Sequence, residues 1–401
     1  MTNGPDPARI AARLQQLWEI AQGPGGGADR PAYSDAEAAA MRLVAGWARE
    51  AGLGPALDEF GNLWGLPPGS AGPLVTSGSH VDTVPDGGRY DGALGTVLGL
   101  EAAAELDGGA GVLICAAEEA PRFGAGTMGS RQLTGTLSGE ALAQLHDADG
   151  VSAADALAAY LEELSDLPRI APPLRRLRAH AEVHVAQRRA LRELGVVSAV
   201  ASPRRFAVRL EGQAGHSGEV SMTERRDALA AAAEVVLAVE AAARAEPSET
   251  VATVGTLAVE PGAVSVIPGV ARLGVDVRAV ASESLTRVEA AIRAAVTQIA
   301  QRRGVSAHVE LTRAGEPVAM DRRLVAAALA AAAELGFSAT ETWSGAGHDA
   351  QHVTSLAPAL LLFVPLHGGE SHTPQEGADM DEIVRAARLV VSVLGAELSA
   401  A

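Results

Sequence analysis

Apolar positions along this chain switch between two periods, and the switches outline its elements. Residues 6–22 and 34–52 repeat at helical spacing. In the second segment, SDAEAAAMRLVAGWAREAG, Ser34 and Glu37 stand at capping-box spacing and Gly52 is the stop. Between them lies a glycine-rich loop (23–27) with the composition of a mobile connector. Short buried runs follow, PLVTSGS (73–79) and GVLICAA (111–117), with the helical GTVLGLEAAAEL (95–106) between them. Strands alternating with helices predict an α/β domain with helices on the sheet faces.

From about 203 to 316 the pattern changes. RRFAVRLEG (204–212) alternates as a strand, residues 222–245 read as a long helix, and strand-like runs occupy 249–260 and 270–280. A helix at 282–302 and a strand at 305–311 close this split α+β unit. Helix then returns at 323–335, followed by the buried strand APALLLFVP (357–365). The organisation expected is a catalytic domain over 1–202 and 317–401, interrupted by an inserted domain over 203–316. A length of 401 residues agrees, since it exceeds the usual size of one core.

Composition narrows the chemistry. The net charge of −17 argues against nucleic acid, which demands a basic stripe. All 32 basic residues are arginine. With no lysine, a pyridoxal Schiff base, a P-loop and the kinase lysine are all excluded. The single Cys115 cannot form an internal disulfide, which fits a reducing cytoplasm. The N-terminus shows no basic region followed by an apolar core, so no signal peptide is expected, and no apolar run is long enough to span a membrane.

Four strand ends carry His, Asp or Glu. In SGSHVDTVPDGGRYDG (77–92), His80 and Asp82 are two apart, so in an extended end they share one side and Asp82 can fix the tautomer of His80. Asp91 precedes a helix, where a carboxylate is favoured. This cluster alone also reads as a surface histidine with a capping aspartate. In AAEEAPRFGAGTMGS (116–130), adjacent Glu118 and Glu119 at a buried strand end need a cation, unless they are simply solvated. Strand alternation would let one ligate while the other overhangs the substrate as a base. His180, Glu182 and His184 share a face of HAEVHVAQ (180–187), a position where a core histidine is also common. His372 lies in the loop HGGESHTPQE (367–376) after the last strand, where α/β sites collect ligands.

Together these residues resemble the metal-dependent aminoacylase and carboxypeptidase family, in its amidase/hydantoinase/carbamoylase branch of N-carbamoyl-L-amino-acid hydrolases and allantoate amidohydrolases. The resemblance runs from about 75 to 390. It implies a zinc-exopeptidase-like catalytic domain, an α/β/α arrangement on a mixed sheet, with an inserted α+β lid and dimerisation domain. It further implies a cytoplasmic homodimer acting on a small molecule. By carry-over, His80, Asp91 and His184 hold one metal, and Asp91, Glu119 and His372 hold another. Glu118 is then the general base for the attacking water. Five ligands are too many for one open tetrahedral site, and zinc is the first expectation, with manganese, cobalt or nickel as alternatives. GQAGHSG (212–218) gives His216 the oxyanion role. Arg278, in the segment GVDVRA (274–279), is implied to clamp a substrate carboxylate, with His348 of SGAGHDA (344–350) lining the site.

Three departures fall where the family reads substrate. Its His-Ile-Glu-Gln-Gly-Pro is here His184-Val185-Ala186-Gln187-Arg188-Arg189, keeping Gln187 alone beside the ligand histidine. The Thr-Thr-Pro-Met after the lid histidine is Glu219-Val220-Ser221-Met222, and the asparagine of Asn-Val-Ile-Pro is Ser265. Arg188 or Arg189 either recharges the pocket for an unusual N-acyl or N-carbamoyl substrate or faces solvent. The activity expected is hydrolysis of a linear C–N bond on a carboxylate-bearing small molecule. The alternatives are an aminoacylase or dipeptidase, or a binding protein that has lost turnover.

Overall fold

A computed structural model describes residues 4–69, 71–188 and 190–400. The chain divides into two compact units, the first being 1–198, 319–342 and 347–401, the second 199–318 and 343–346.

The first unit is built on a mixed sheet. Its strands run in the order Gly54–Leu57, Leu63–Leu66, Gly111–Ile114, Leu74–Ser77, Leu177–Ala186, Ala359–Pro365 and Leu194–Val200. The three contacts around Leu74–Ser77 and Leu177–Ala186 are parallel, and the flanking ones are antiparallel. Leu177–Ala186 is buried at nearly every position, so both of its faces are covered. The helices Ala93–Glu105 and Met380–Ser399 pack against it. The expected α/β architecture is present.

The second unit has a four-stranded antiparallel sheet in the order Ser306–Ala314, Ser202–Glu211, Val270–Ala279, Val251–Glu260. Phe206, Val208, Leu273 and Val275 face a core shared with Val235 and Ile292 of the helices Ala228–Arg244 and Ser282–Arg303. Alternation sends Arg205, Arg209, Arg272 and Arg278 to the opposite face.

Local chemistry corrects the sequence at several points. The helix expected over 6–22 is Pro7–Trp18, capped by Asp6, and that over 222–245 starts only at Ala228, after the Asp227 cap. The loop 23–27 is bonded rather than free. Asp86 accepts the N–H groups of Gly25 and Gly27, and Ala28 pairs in both directions with Gly87. Strand Gly111–Ile114 stops short of the glutamate pair, and Ala117 turns left-handed at φ 54°. Glu118 and Glu119 therefore diverge through a pinned loop, not through strand alternation.

Candidate metal centre

His80 follows the strand Leu74–Ser77 and is fully buried. Its Nδ1 lies 3.1 Å from the Asp82 carbonyl oxygen and 3.3 Å from Asp82 Oδ1. The His184 Nδ1 lies 3.3 Å from the Val185 carbonyl. Donation from Nδ1 to a carbonyl leaves Nε2 with a lone pair in each ring. The two Nε2 atoms meet at 3.4 Å, and Asp91 Oδ1 stands 3.5 Å from His80 Nε2 and 3.0 Å from His184 Nε2.

Asp91 sits just before the helix Ala93–Glu105, but its carboxylate does not cap it. Oδ1 faces the two histidines, while Oδ2 lies 3.1 Å from His372 Nε2. His372 is in turn 3.5 Å from Glu119 Oε1, and Glu118 Oε2 is 4.0 Å from His80 Nε2. The six residues of the four sequence clusters thus converge. Gly92 makes room for this: at φ 65°, any Cβ on it would stand 2.4 Å from the His80 ring.

The donor set fits divalent cations. Ligands at about 2.0–2.1 Å in tetrahedral geometry stand about 3.3–3.4 Å apart. His80, Asp91 and His184 meet at 3.0–3.5 Å, and His372 stands 3.1 Å from Asp91 and 3.5 Å from Glu119. A further group, Glu182, His184 and His348, also gathers potential ligands.

The electrostatics ask for positive charge. Burial pushes the Glu118 carboxyl well above the usual carboxylate range, only partly opposed by His80. Burial also raises Glu119 to about 7, with the charge of Asp91 adding to it. Asp91 goes the other way. Against its burial, His184, His372 and His80 hold its carboxyl well below the usual range.

Asp82 does more than face His80. Its Oδ1 accepts the Glu118 N–H at 3.1 Å and its Oδ2 the Glu119 N–H at 2.8 Å. The Gln187 amide donates to Asp91 Oδ2 at 3.2 Å and lies 3.1 Å from His372 Nε2, so it is engaged with the cluster itself. Arg188 donates to Thr342 Oγ1 at 3.3 Å, and Arg189 lies outside the described residues. His348 is buried edge-on against His184, with ring centroids 4.5 Å apart, and burial drives its pKa well below the ordinary value.

In the second unit His216 and Ser265 come together. His216 pairs with Val266, and Ser217 N–H donates to the Ser265 carbonyl. Arg278 is braced by Asp276 at 2.9 Å and by the Gly345 carbonyl at 2.8 Å.

Sequence reasoning missed Glu376. Its Oε2 accepts the N–H groups of Tyr90 and Asp91, and its Oε1 accepts from Ser371, whose hydroxyl also lies 3.1 Å from Asp91 Oδ2. It joins the Asp91 turn to the His372 loop. The only sequence signal was its place at the end of HGGESHTPQE. A Cβ on Gly88 would stand 2.1 Å from this carboxylate, which accounts for the glycine-rich turn.

Residues 77–396 match peptidase family M20/M25/M40. An N-carbamoyl-L-amino-acid amidohydrolase of Pseudomonas sp. (strain NS671) is 31% identical over 95% of this chain and 96% of its own. An allantoate amidohydrolase of Bacillus subtilis (strain 168) is 32% identical over 96% of both chains. The solved structure of an amidase of the hydantoinase/carbamoylase family from Burkholderia multivorans superimposes with a TM-score of 0.88 at 32% identity, covering 98% of both chains. The chain therefore belongs to peptidase family M20/M25/M40, and is a metal-dependent hydrolase of carbon–nitrogen bonds other than peptide bonds.

Proposed function

We propose that this chain hydrolyses a linear N-carbamoyl, ureido or N-acyl bond in a small substrate that carries a carboxylate. The observation that carries the reading is the division of Asp91, with Oδ1 on His80 and His184 and Oδ2 on His372. It supports two divalent cations, one held by His80, Asp91 and His184 and the other by Asp91, Glu119 and His372. Zinc suits these donors first, and manganese, cobalt and nickel share the preference. When bound, the cations supply Lewis acidity and ease the deprotonation of water.

Glu118 takes the proton of the attacking water and returns it to the leaving nitrogen. Its burial, which favours the protonated form, suits it to the second step. Arg278, held at two of its nitrogens, is the group for the substrate carboxylate, and His216 for the developing oxyanion. Gln187, Arg188, Ser265 and His348 complete the substrate contacts in this reading. The name of the Pseudomonas relative, an N-carbamoyl-L-amino-acid amidohydrolase, favours a carbamoyl-type bond. Ammonia release from N-carbamoyl amino acids, with and without a chelator, tests it. Glu118→Gln is expected to lose about 10²- to 10⁴-fold in kcat. Undiminished turnover after metal removal, or in Glu118→Gln, would overturn the reading.

A homodimer is part of the same proposal. The edge strand Val251–Glu260 pairs on one side with Val270–Ala279 and exposes Val251 and Leu257, a surface suited to a second copy. Sedimentation of the metal-loaded protein as a monomer at micromolar concentration would remove it.

A further inference from the structure

The pair Ser34 and Glu37 has the spacing of a capping box, and only half of that box forms. Ser34 Oγ accepts the Glu37 N–H at 3.2 Å. The Glu37 carboxylate does not return to the Ser34 N–H, which donates to the Pro31 carbonyl. Instead Oε2 accepts from the Tyr33 N–H, and Oε1 accepts from the Ala117 N–H at 2.9 Å, 80 residues away in sequence. Glu37 is fully buried, so helix capping alone does not explain where its carboxylate goes.

Ala117 is the residue at which the chain leaves the extended run before the glutamate pair. Its φ of 54° is left-handed, which costs an alanine about 1 kcal/mol or more. Four consecutive amides here end on side-chain oxygens. Ala116 donates to Asn62 Oδ1 at 3.0 Å, Ala117 to Glu37, and Glu118 and Glu119 to the two oxygens of Asp82. Without its acceptor the Ala117 peptide would be left with a buried, unsatisfied N–H in a disfavoured conformation. Relaxation of Ala117 to a negative φ would re-aim the next residue, Glu118.

We propose that Glu37 is a positioning residue for the reaction, holding Ala117 left-handed so that Glu118 is aimed at the histidine and carboxylate cluster. The assignment rests on the reading of Glu118 as the general base. Among the described residues, the Glu37 carboxylate accepts its hydrogen bonds from Tyr33 and Ala117 and not from a residue of the cluster. A residue of purely structural value would lower stability when replaced and leave turnover by the folded fraction intact. A positioning residue changes turnover in the folded protein.

The test uses the metal-loaded full chain. Glutamine at position 37 has one acceptor oxygen for two N–H groups, so Glu37→Gln leaves one of them facing an NH₂. It is expected to lower kcat about 10- to 100-fold with KM within about twofold, at unchanged metal content. Glycine reaches positive φ without steric cost, so Ala117→Gly removes the conformational part of the cost that the restraint offsets. The double variant Glu37→Gln/Ala117→Gly is expected to recover kcat to within about threefold of wild type, a rescue that lost packing would not show. Thermal unfolding establishes that each variant is folded at the assay temperature. Wild-type turnover in Glu37→Gln overturns the assignment. So does a folded double variant no faster than the single one, and so does failure of both to fold. An active Glu118→Gln would instead overturn the underlying reading of the base.

Discussion

Asp82 Oδ2 accepts the backbone N–H of Glu119 at 2.8 Å, and its other oxygen holds Glu118 in the same way. The carboxylate that spacing assigns to the tautomer of His80 fixes the backbone that carries both glutamates, and it is the Asp82 carbonyl that lies nearer the His80 Nδ1. An asparagine there keeps the shape and loses one acceptor. Asp82→Asn is expected to weaken divalent-metal binding and lower kcat/KM, each by about 10- to 100-fold. Competition against a chromophoric chelator, alongside steady-state kinetics, measures both. Unchanged values would reduce Asp82 to packing.

Glu376 ties the Asp91 turn to Ser371, next to His372. Glu376→Ala releases two loops that arrive from opposite ends of the chain, so divalent-metal affinity is expected to fall about 10- to 100-fold while the fold persists. Gly88→Ala, whose Cβ would meet the same carboxylate, is expected to produce the same loss. Two variants with opposite effects on divalent-metal titration would show that the tie is not what matters.

His180 gives a pH dependence that does not involve the cluster. Burial lowers its pKa to about 4, and Thr76 Oγ1 lies 3.0 Å from its Nδ1. The unfolded chain binds its proton near pH 6.5 and the folded chain only near 4. This contribution to stability is full above about pH 6.5 and is lost as pH falls toward 4, to a total of about 3 kcal/mol. Denaturant unfolding at pH 7 and pH 5 is expected to show a smaller difference in His180→Gln than in wild type. Equal differences would mean that His180 is protonated in the folded protein.

Much of the site was legible in the sequence because its donors cluster at strand ends in short motifs. His80, Asp91, Glu118, Glu119, His184 and His372 were all visible before folding, and the structure gathers them. The α/β pattern was legible for the same local reason, that hydrophobic period reports which face is buried. Errors came where a side chain chose a distant partner over a near one. Asp86 ties down the glycine-rich loop, and Glu37 abandons its cap for Ala117.

By itself, then, the sequence determined the residue types of the candidate site, the family and the class of reaction. Residue type and local spacing carry that chemistry along the chain. Tertiary structure alone decided how these residues are paired. Asp91 turns one oxygen to His80 and His184 and the other to His372, while Glu376 reaches the Asp91 amide across 285 residues. Such pairings depend on which strand ends the mixed sheet brings side by side, and on which buried N–H groups then lack an acceptor. Neither is a property of any local stretch of sequence.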